Sequence, residues 1–419
     1  MKQINPFIKF SFIVFTISIL LYSCSKDDDE PLSKTDINKT SLFGEVIVPE
    51  NTNRDSDFSI LSDALIESSV KSDFRFGNPN EQFEPGILTA GEWSDLNNWD
   101  FWNNLLSDQE YYKEANKWNL KEIKRYSFFV KDNNASAVAN CKIKLLYNQV
   151  EVWKTKTDAK GEATLWSDLE INELKAEIEI DGTKQIITNV KEYAIGINDI
   201  SINKTIINKK NVDIYFAVDA TGSMGDEIDY LKAELNNVIQ RIKQNNTSLE
   251  MRFGSVFYRD EGDDYVTRPF NFTTNQESLI SFISKQSANG GGDFPEAVHT
   301  ALDIAITQNS WNDDASTRIL FLLLDAPPHY TQEVISNLES NITLAAEKGI
   351  KIIPITASGI DKPTEYLMRS FAILTNGTYV FITDDSGVGN SHIKPTIGEF
   401  SVEKLNDLMV RVVDNYIPK

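Results

Sequence analysis

Histidine and cysteine are scarce in this sequence, which has three histidines and two cysteines in 419 residues. The three histidines lie far apart, and no pair of them has the spacing of zinc ligands, which argues against a catalytic zinc site. His299 falls at core spacing on a predicted helix, which favours a structural role. His329 follows Asp325 by four residues, and it either lines a site there or belongs to the loop alone.

Positive charge is also in short supply. The chain has 41 Lys and Arg against 62 Asp and Glu, a net charge of −21 and a pI near 4.6. Nucleic acids and anionic lipid surfaces repel so acidic a chain, and we therefore expect no nucleic-acid partner. The acidity suits a protein that recruits divalent cations. The alternative is an acidic surface that is simply solvated.

An apolar stretch lies near the start of the chain, at residues 10–21, and it follows Lys2 and Lys9. The stretch is too short to span a membrane. A basic start and a short apolar run predict a secretory signal peptide, residues 1–23.

The residues that follow resemble those of bacterial lipoproteins. Cys24 comes directly after Leu-Tyr-Ser, which resembles a lipobox, and residues 25–30 resemble the acidic export signal of Bacteroidetes surface lipoproteins. The resemblance implies a Gram-negative outer-membrane lipoprotein, exposed on the cell surface and anchored by lipid at Cys24. Only Cys141 then remains, so we expect no intrachain disulfide.

Two segments precede the first domain of regular pattern. Residues 24–41 are charged and predict an acidic tether, whereas residues 42–124 open with one predicted strand, 42–49, and become rich in aromatics. Tryptophan rings either form a stacking platform for sugars or pack against the next domain, and packing is favoured because large aromatics dominate core burial. Four of the seven tryptophans lie here: Trp93, Trp99, Trp102 and Trp118.

Residues 125–205 have the pattern of a small all-β domain. Short alternating runs are separated by turn signals, such as the hairpin turn at 158–161, and this spacing predicts a β-sandwich. The passage 157–165 resembles the carboxypeptidase-regulatory-like, Ig-type sandwich. That resemblance implies a fold and no catalysis.

Residues 210–419 alternate between strand and helix patterns. The run 212–218 is apolar and rich in β-branched and aromatic residues, as in a strand buried on both faces of a parallel sheet. Pro269 places the strand 265–272 at an edge. The repeated units predict a doubly wound, mostly parallel α/β sheet. The other predicted strands are 250–258, 318–324, 350–355 and 378–382. The predicted helices are 228–242, 276–285, one that follows Glu296 and ends near Thr307, 332–348, 364–374 and 402–413.

Oxygen-bearing side chains follow three predicted strand ends or helix starts. They are Asp219, Thr221 and Ser223 after the first strand, Asp293 in a glycine-rich loop, and Asp325 after 318–324. Loops at the carboxyl ends of parallel strands meet at one edge of the sheet. Carboxylates and hydroxyls are the ligands of hard cations, so this pattern predicts a site for Mg²⁺, or for Mn²⁺ or Ca²⁺.

These residues resemble the metal-ion-dependent adhesion site of the von Willebrand factor A (VWA) domain, which is Rossmann-like. The family motif Asp-x-Ser-x-Ser is represented by Asp219, Thr221 and Ser223, and Asp325 corresponds to the Asp after the fourth strand. Asp293 stands where the adhesion family has a Thr. It is either a metal ligand or a helix N-cap, with Glu296 completing a capping box.

The resemblance implies a binding protein and not an enzyme. The expected partner is an extracellular or envelope protein or glycan, which presents an acidic group to the bound cation. The alternatives are an envelope scaffold with a structural metal and, less favoured, a serine hydrolase, because Thr221 stands where a nucleophile elbow needs Gly. Asp260, in an acidic loop, either supports the metal site or is solvated.

Overall fold

The computed structural model describes residues 83–120, 124–167 and 174–418. The predicted signal peptide, Cys24, the tether 24–41 and the strand 42–49 lie outside these ranges. None of the helices in the described part of the chain combines the length and the apolar character needed to cross a membrane.

The aromatic-rich segment contributes one strand and two helices: β1 Thr89–Trp93, α1 Trp99–Leu105 and α2 Gln109–Trp118. The rings are packed against both later parts of the chain. Trp99 lies 5.4 Å from the Trp166 ring of the next domain, whereas Trp102 is fully buried and stacks on Tyr366, much later in the chain, at 5.3 Å between ring centroids. Trp118 meets Tyr330 edge to face at 5.3 Å. This agrees with the packing alternative for the tryptophans.

Seven strands form the small β domain: β2 Lys124–Lys131, β3 Lys142–Tyr147, β4 Val150–Lys156, β5 Glu162–Ser167, β6 Lys175–Ile180, β7 Thr183–Ile187 and β8 Asn198–Ser201. They lie in a three-stranded sheet, β5-β2-β8, and a four-stranded sheet, β4-β3-β6-β7. Both sheets contribute to one hydrophobic core, which includes Phe128 and Ile143. Cys141 is buried there as a free thiol.

The remaining elements begin at residue 211. The strands are β9 Asn211–Asp219, β10 Glu250–Tyr258, β11 Thr267–Thr273, β12 Thr317–Leu324, β13 Ile350–Thr356, β14 Tyr379–Ile382 and β15 Glu403–Lys404. The helices are α3 Ile228–Asn245, α4 Gln276–Ile283, α5 Val298–Ile306, α6 Gln332–Lys348, α7 Lys362–Leu374 and α8 Leu405–Tyr416.

An eight-stranded sheet organises this part of the chain, in the order β11-β10-β9-β12-β13-β14-β1-β15. The five central strands, β10, β9, β12, β13 and β14, are parallel to one another. The pairs β11–β10, β14–β1 and β1–β15 are antiparallel. Alternate β9 residues enter two separate cores, Phe216 on the side of α3, α4 and α8 and Tyr215 on the side of α5, α6 and α7. The predicted doubly wound, mostly parallel α/β fold is therefore confirmed, with strands preceding it.

The sheet takes one strand from residues that the sequence pattern assigns to the aromatic-rich segment. β1 pairs antiparallel with β14, and its Gly91 allows close packing, because a Cβ there would lie 2.4 Å from the Phe381 ring. The sequence gives no strand signal at β1, which is short and does not alternate. The helix predicted at 402–413 begins only at Leu405, because Glu403 and Lys404 pair with β1.

A buried ion pair ties the aromatic-rich segment to α7. The guanidinium group of Arg369 donates to both carboxylate oxygens of Asp95, at 2.9 and 2.6 Å, and Arg369 is completely buried. Its other partners are Glu365 and the carbonyl of Thr396. Burial opposes the positive charge, but Asp95 and Glu365 raise the pKa of Arg369 above its usual value.

We expect Asp95→Asn to destabilise the protein by about 3 kcal/mol, because it leaves Arg369 buried with only part of its counter-charge. The measurement is the midpoint of urea unfolding, followed by tryptophan fluorescence. Asp100→Asn is the matched control, since Asp100 is exposed, and it should change the free energy of unfolding by less than about 0.5 kcal/mol. Equal midpoints for the two variants would contradict this role of the ion pair.

Candidate metal site

The first group of predicted ligands follows β9. The carboxylate oxygen Oδ1 of Asp219 accepts the backbone N–H of Thr221 at 2.9 Å and its hydroxyl at 2.7 Å. The Thr221 and Ser223 hydroxyls lie 3.1 Å apart, and a short 3₁₀ helix at Gly222–Asp226 holds Ser223 at the surface. These local bonds bring the three side chains together at the carboxyl end of the strand.

Asp325 reaches the same place from the neighbouring strand. β12 runs parallel to β9, so Asp325 leaves the sheet at the edge where Asp219 lies. Asp325 is 4 % exposed. Burial and the charge of Asp219 raise its pKa, and the nearby Ser223 hydroxyl acts in the opposite direction. The structure therefore brings together four of the five predicted ligands: Asp219, Thr221, Ser223 and Asp325.

Asp293 is placed differently. Its side chain is exposed, and none of the hydrogen bonds or ion pairs among the described residues joins it to the other four. It is not an N-cap, because α5 begins later, with Ala297 at that position. The capping alternative for Asp293 and Glu296 is therefore wrong.

Glu296 is the acid of this loop that enters the cluster. It is 2 % exposed, and a backbone bridge pairs it with Pro328, just beyond Asp325. A Cβ on Gly291 would lie 3.0 Å from its Oε1 and 3.4 Å from the Cβ of Thr221. The sequence signal for Glu296 is weak. Glu296 is a single acid that directly precedes the apolar run of α5. That position places it near the carboxyl ends of the parallel strands, and no other feature of the sequence marks it.

Three buried acids lie at this edge of the sheet: Asp219, Asp325 and Glu296. Within the described residues, one oxygen of each buried carboxylate makes no hydrogen bond of normal geometry: Oδ2 of Asp219, Oδ1 of Asp325 and Oε2 of Glu296. The Tyr258 hydroxyl is the polar group beside Asp219. Burial and the neighbouring acids raise the pKa of all three carboxyls, that of Glu296 to about 9. Burial and the same acids raise the pKa of Tyr258. Negative charge is thus concentrated at this edge of the sheet.

This donor set fits a hard divalent cation. It offers two hydroxyls and several carboxylate oxygens, and a cation would relieve the repulsion among the acids. Within residues 83–120, 124–167 and 174–418, no set of three or more His, Cys, Asp or Glu side chains could hold a metal ion by itself. The predicted set is of a different kind, because two of its five members, Thr221 and Ser223, carry hydroxyl groups.

The loops around the cluster are fastened to one another. Arg259 donates to the carbonyl of Ala220 at 3.0 Å, and Asp263 accepts the N–H of Gly291 at 2.9 Å. Gly290 has a φ of +79°, and a Cβ there would lie 2.4 Å from the Asp263 carboxylate. Both the backbone conformation and the available space therefore require glycine at this position.

The histidines lie outside the cluster. Nε2 of His329 lies 2.6 Å from Oδ1 of Asp260, so these two side chains pair with each other beside the site. His299 lies 3.8 Å from Glu261 and 3.3 Å from the Thr300 hydroxyl. His392 contacts Glu227 and Asp384. The buried position of Asp260 argues against the solvated alternative for this residue.

Comparison with known proteins identifies one part of the chain. The family profile of the von Willebrand factor A domain matches residues 213–387. The alpha-protein kinase vwkA of Dictyostelium discoideum is 26% identical over 236 residues, and the putative ariadne-like RING finger protein R811 of Acanthamoeba polyphaga mimivirus is 32% identical over 143 residues. The matches cover 55% and 34% of this chain, but only 37% and 14% of those proteins.

A solved structure is also similar. It is that of the conserved hypothetical protein BatB from Bacteroides thetaiotaomicron, with 13% identity and a TM-score of 0.34. The match covers 49% of this chain and 98% of BatB. On the family match, and with a doubly wound sheet over the same residues, this chain contains a von Willebrand factor A domain.

Proposed function

We propose that the VWA domain binds a divalent cation and uses it to capture an acidic group of a protein or glycan partner. The hydroxyls of Thr221 and Ser223 would bind the cation directly, and Asp219 and Asp325 would ligate it directly or through water. A coordination position left open would accept the partner's carboxylate. Mg²⁺ is the cation that this oxygen set suits, with Mn²⁺ or Ca²⁺ as alternatives.

One observation supports this proposal above the others. Three buried carboxylates stand close together, each with an oxygen that makes no hydrogen bond of normal geometry within the described residues. A buried charge without a partner is costly, so such a cluster favours a cation from solution. Asp293 remains a proposed ligand that would approach from the solvent side, and Glu296 would add negative charge behind the hydroxyls.

A hydrolase is less well supported. Ser223 would need a base within hydrogen-bonding reach, and the histidines of this chain contact other groups instead, His329 with Asp260 and His392 with Glu227 and Asp384. The word kinase in the name of the Dictyostelium relative describes that protein, of which this chain matches 37%. We therefore propose a binding role and no catalysis.

The proposed setting is the cell surface. Lipidation at Cys24 would anchor the protein in the outer membrane, and residues 24–41 would hold it away from the bilayer. This part of the proposal rests on the sequence of residues 1–30 alone. It can be tested by labelling with a radioactive fatty acid, which should reach the wild type and not Cys24→Ala.

We expect Asp219→Ala to abolish stabilisation by divalent cations. In thermal melts, Mg²⁺ should raise the Tm of the wild type. At a Mg²⁺ concentration a hundred times the Kd, binding adds about 2.7 kcal/mol to the free energy of unfolding. Asp264→Ala is the control, because Asp264 is an exposed acid of a neighbouring loop, and it should keep the full shift. A shift of the same size in Asp219→Ala would rule out this site.

Partner capture separates a binding site from a structural metal. Immobilised protein should retain a partner from cell or host extracts when Mg²⁺ is present and release it when a chelator is added. Asp219→Ala should retain none, and Asp264→Ala should behave like the wild type. Retention that survives both chelation and Asp219→Ala would favour the scaffold alternative.

Glu296 should make the free energy of unfolding of the metal-free protein depend on pH. The folded state holds the Glu296 proton up to about pH 9, whereas the unfolded chain loses it near pH 4.5. The folded state therefore binds the extra proton between these values, and the free energy of unfolding should fall as pH rises through this interval. In chelator, Glu296→Gln should flatten this decline. A slope equal to that of the wild type would contradict the burial of this carboxyl.

A further inference from the structure

A second concentration of charge, of the opposite sign, lies in the β domain, far from the VWA motif in sequence. On β3 and β4 the residues directly opposite each other include two lysine pairs, Lys142 with Lys156 and Lys144 with Lys154. The intervening Ile143 is buried in the core of the domain, so the four lysines share the opposite face of the sheet. Like charges placed directly opposite each other on neighbouring strands are destabilising.

This lysine face lines a cavity of about 600 Å³. The other walls come from the C-terminal end of α6, which contributes Lys348, and from the loop that holds Asp313 and Asp314. The cavity thus lies where the β domain meets the VWA domain. Five lysines and five acids line it, and the acids are Glu179, Asp181, Asp313, Asp314 and Glu347. In a chain with a net charge of −21, the local excess of positive charge is confined to the four lysines of the sheet face.

Several acids near the cavity are paired with lysines other than Lys142 and Lys156, and Asp181 lies 3.7 Å from Lys204. Glu151 pairs with both Lys144 and Lys154, at 3.2 and 2.9 Å, and Glu347 also pairs with Lys154, at 2.9 Å. Glu179 pairs with Lys184 at 3.3 Å. Lys144 and Lys154, the outer pair, therefore have acidic partners. Lys142 and Lys156 form the inner pair.

The inner cations have no comparable partner among the described residues. The Lys156 side chain is 8 % exposed, and its Nζ lies 3.5 Å from the carbonyl of Asp313 and 3.9 Å from the carboxylate of that residue, which is 96 % exposed. Arg318 is 2 % exposed and donates to the same carbonyl at 2.7 Å and to the amide oxygen of Asn140 at 3.1 Å. Two adjacent buried cations are therefore held mainly by neutral oxygens.

The pKa values agree with this arrangement. Burial and the charge of Arg318 lower the pKa of Lys156 to about 8. Burial lowers the pKa of Arg318 to about 10. A buried cation is ordinarily stabilised by a directly paired anion. Asp213 lies opposite Arg318 on β9 and partly offsets its charge, but its carboxylate is hydrogen-bonded to Arg252.

We infer that this cavity is a binding site for a small oxyanion, a phosphate or sulfate group that is either free or carried by a small molecule. Lys142 and Lys156 would contact the anion from the sheet face, with the charge of Arg318 behind them. Ammonium groups donate charge-assisted hydrogen bonds to phosphate oxygens, and these are about twice as strong as neutral ones. The site is separate from the proposed metal site and does not depend on it.

The test is titration of the full chain with inorganic phosphate, with sodium chloride at equal ionic strength as the reference. We expect phosphate, and not chloride, to raise the Tm of the wild type, with binding confirmed by calorimetry. Glucose 6-phosphate titrated in the same way identifies the source, because tighter binding than that of phosphate indicates a phosphorylated small molecule and equal binding indicates the free anion. Failure of both phosphate compounds to bind would overturn the inference.

Variants locate the site. Lys156→Gln should weaken phosphate binding about tenfold or more, since a charge-assisted contact is lost. Lys191→Gln is the matched control, because it removes an exposed lysine of the β domain that does not line the cavity, and it should bind as the wild type does. A Lys156→Gln protein that binds phosphate normally would overturn the assignment. Should that variant not fold, Lys142→Gln, at an exposed position, must weaken binding severalfold, and unchanged binding would again be decisive against the site.

Discussion

The parallel pairing of β9 with its two neighbours is the constraint on which the rest of the structure depends. Backbone hydrogen bonds set Asp219 level with Tyr258 of β10, and Leu323 of β12 level with Val218. Asp325 therefore follows its strand almost at the level at which Asp219 ends β9. Because the strands are covered by helices on both sides, these acids meet where little water reaches them, and their mutual repulsion follows directly from the sheet.

Some buried charges in this protein are paired with an opposite charge, and others are not. Arg369 is enclosed, but Asp95 and Glu365 compensate it, and that contact joins the aromatic-rich segment to α7. The acids around Asp219 and the cations Lys156 and Arg318 are also buried, yet the described chain offers them no comparable partner. A paired buried charge stabilises a particular arrangement of the fold. An unpaired one favours an ion from solution, which is the common basis of the two sites proposed above.

The aromatic-rich segment belongs to the sheet more closely than its sequence indicates. β1 supplies a strand between β14 and β15, and Trp102 and Tyr111 both contact Tyr366 of α7. The family match begins only at residue 213, so this segment lies outside the matched region. It completes the edge of the sheet that lies away from β11.

The sequence by itself determined the class of fold and most of the candidate site. The apolar run of β9, the periodicity of α3 and α6, and Pro269 at an edge strand are local patterns, and local patterns predict elements and their order. Asp219, Thr221, Ser223 and Asp325 were predictable for the same reason, since each follows a recognisable strand. The tertiary structure decided what depends on contacts between distant residues. It placed β1 in the sheet through pairing with β14, it brought Glu296 into the acidic cluster while Asp293 faces solvent, and it set Lys156 beside Arg318. No periodicity encodes such encounters, because burial and charge pairing are properties of residues that meet only after the chain has folded.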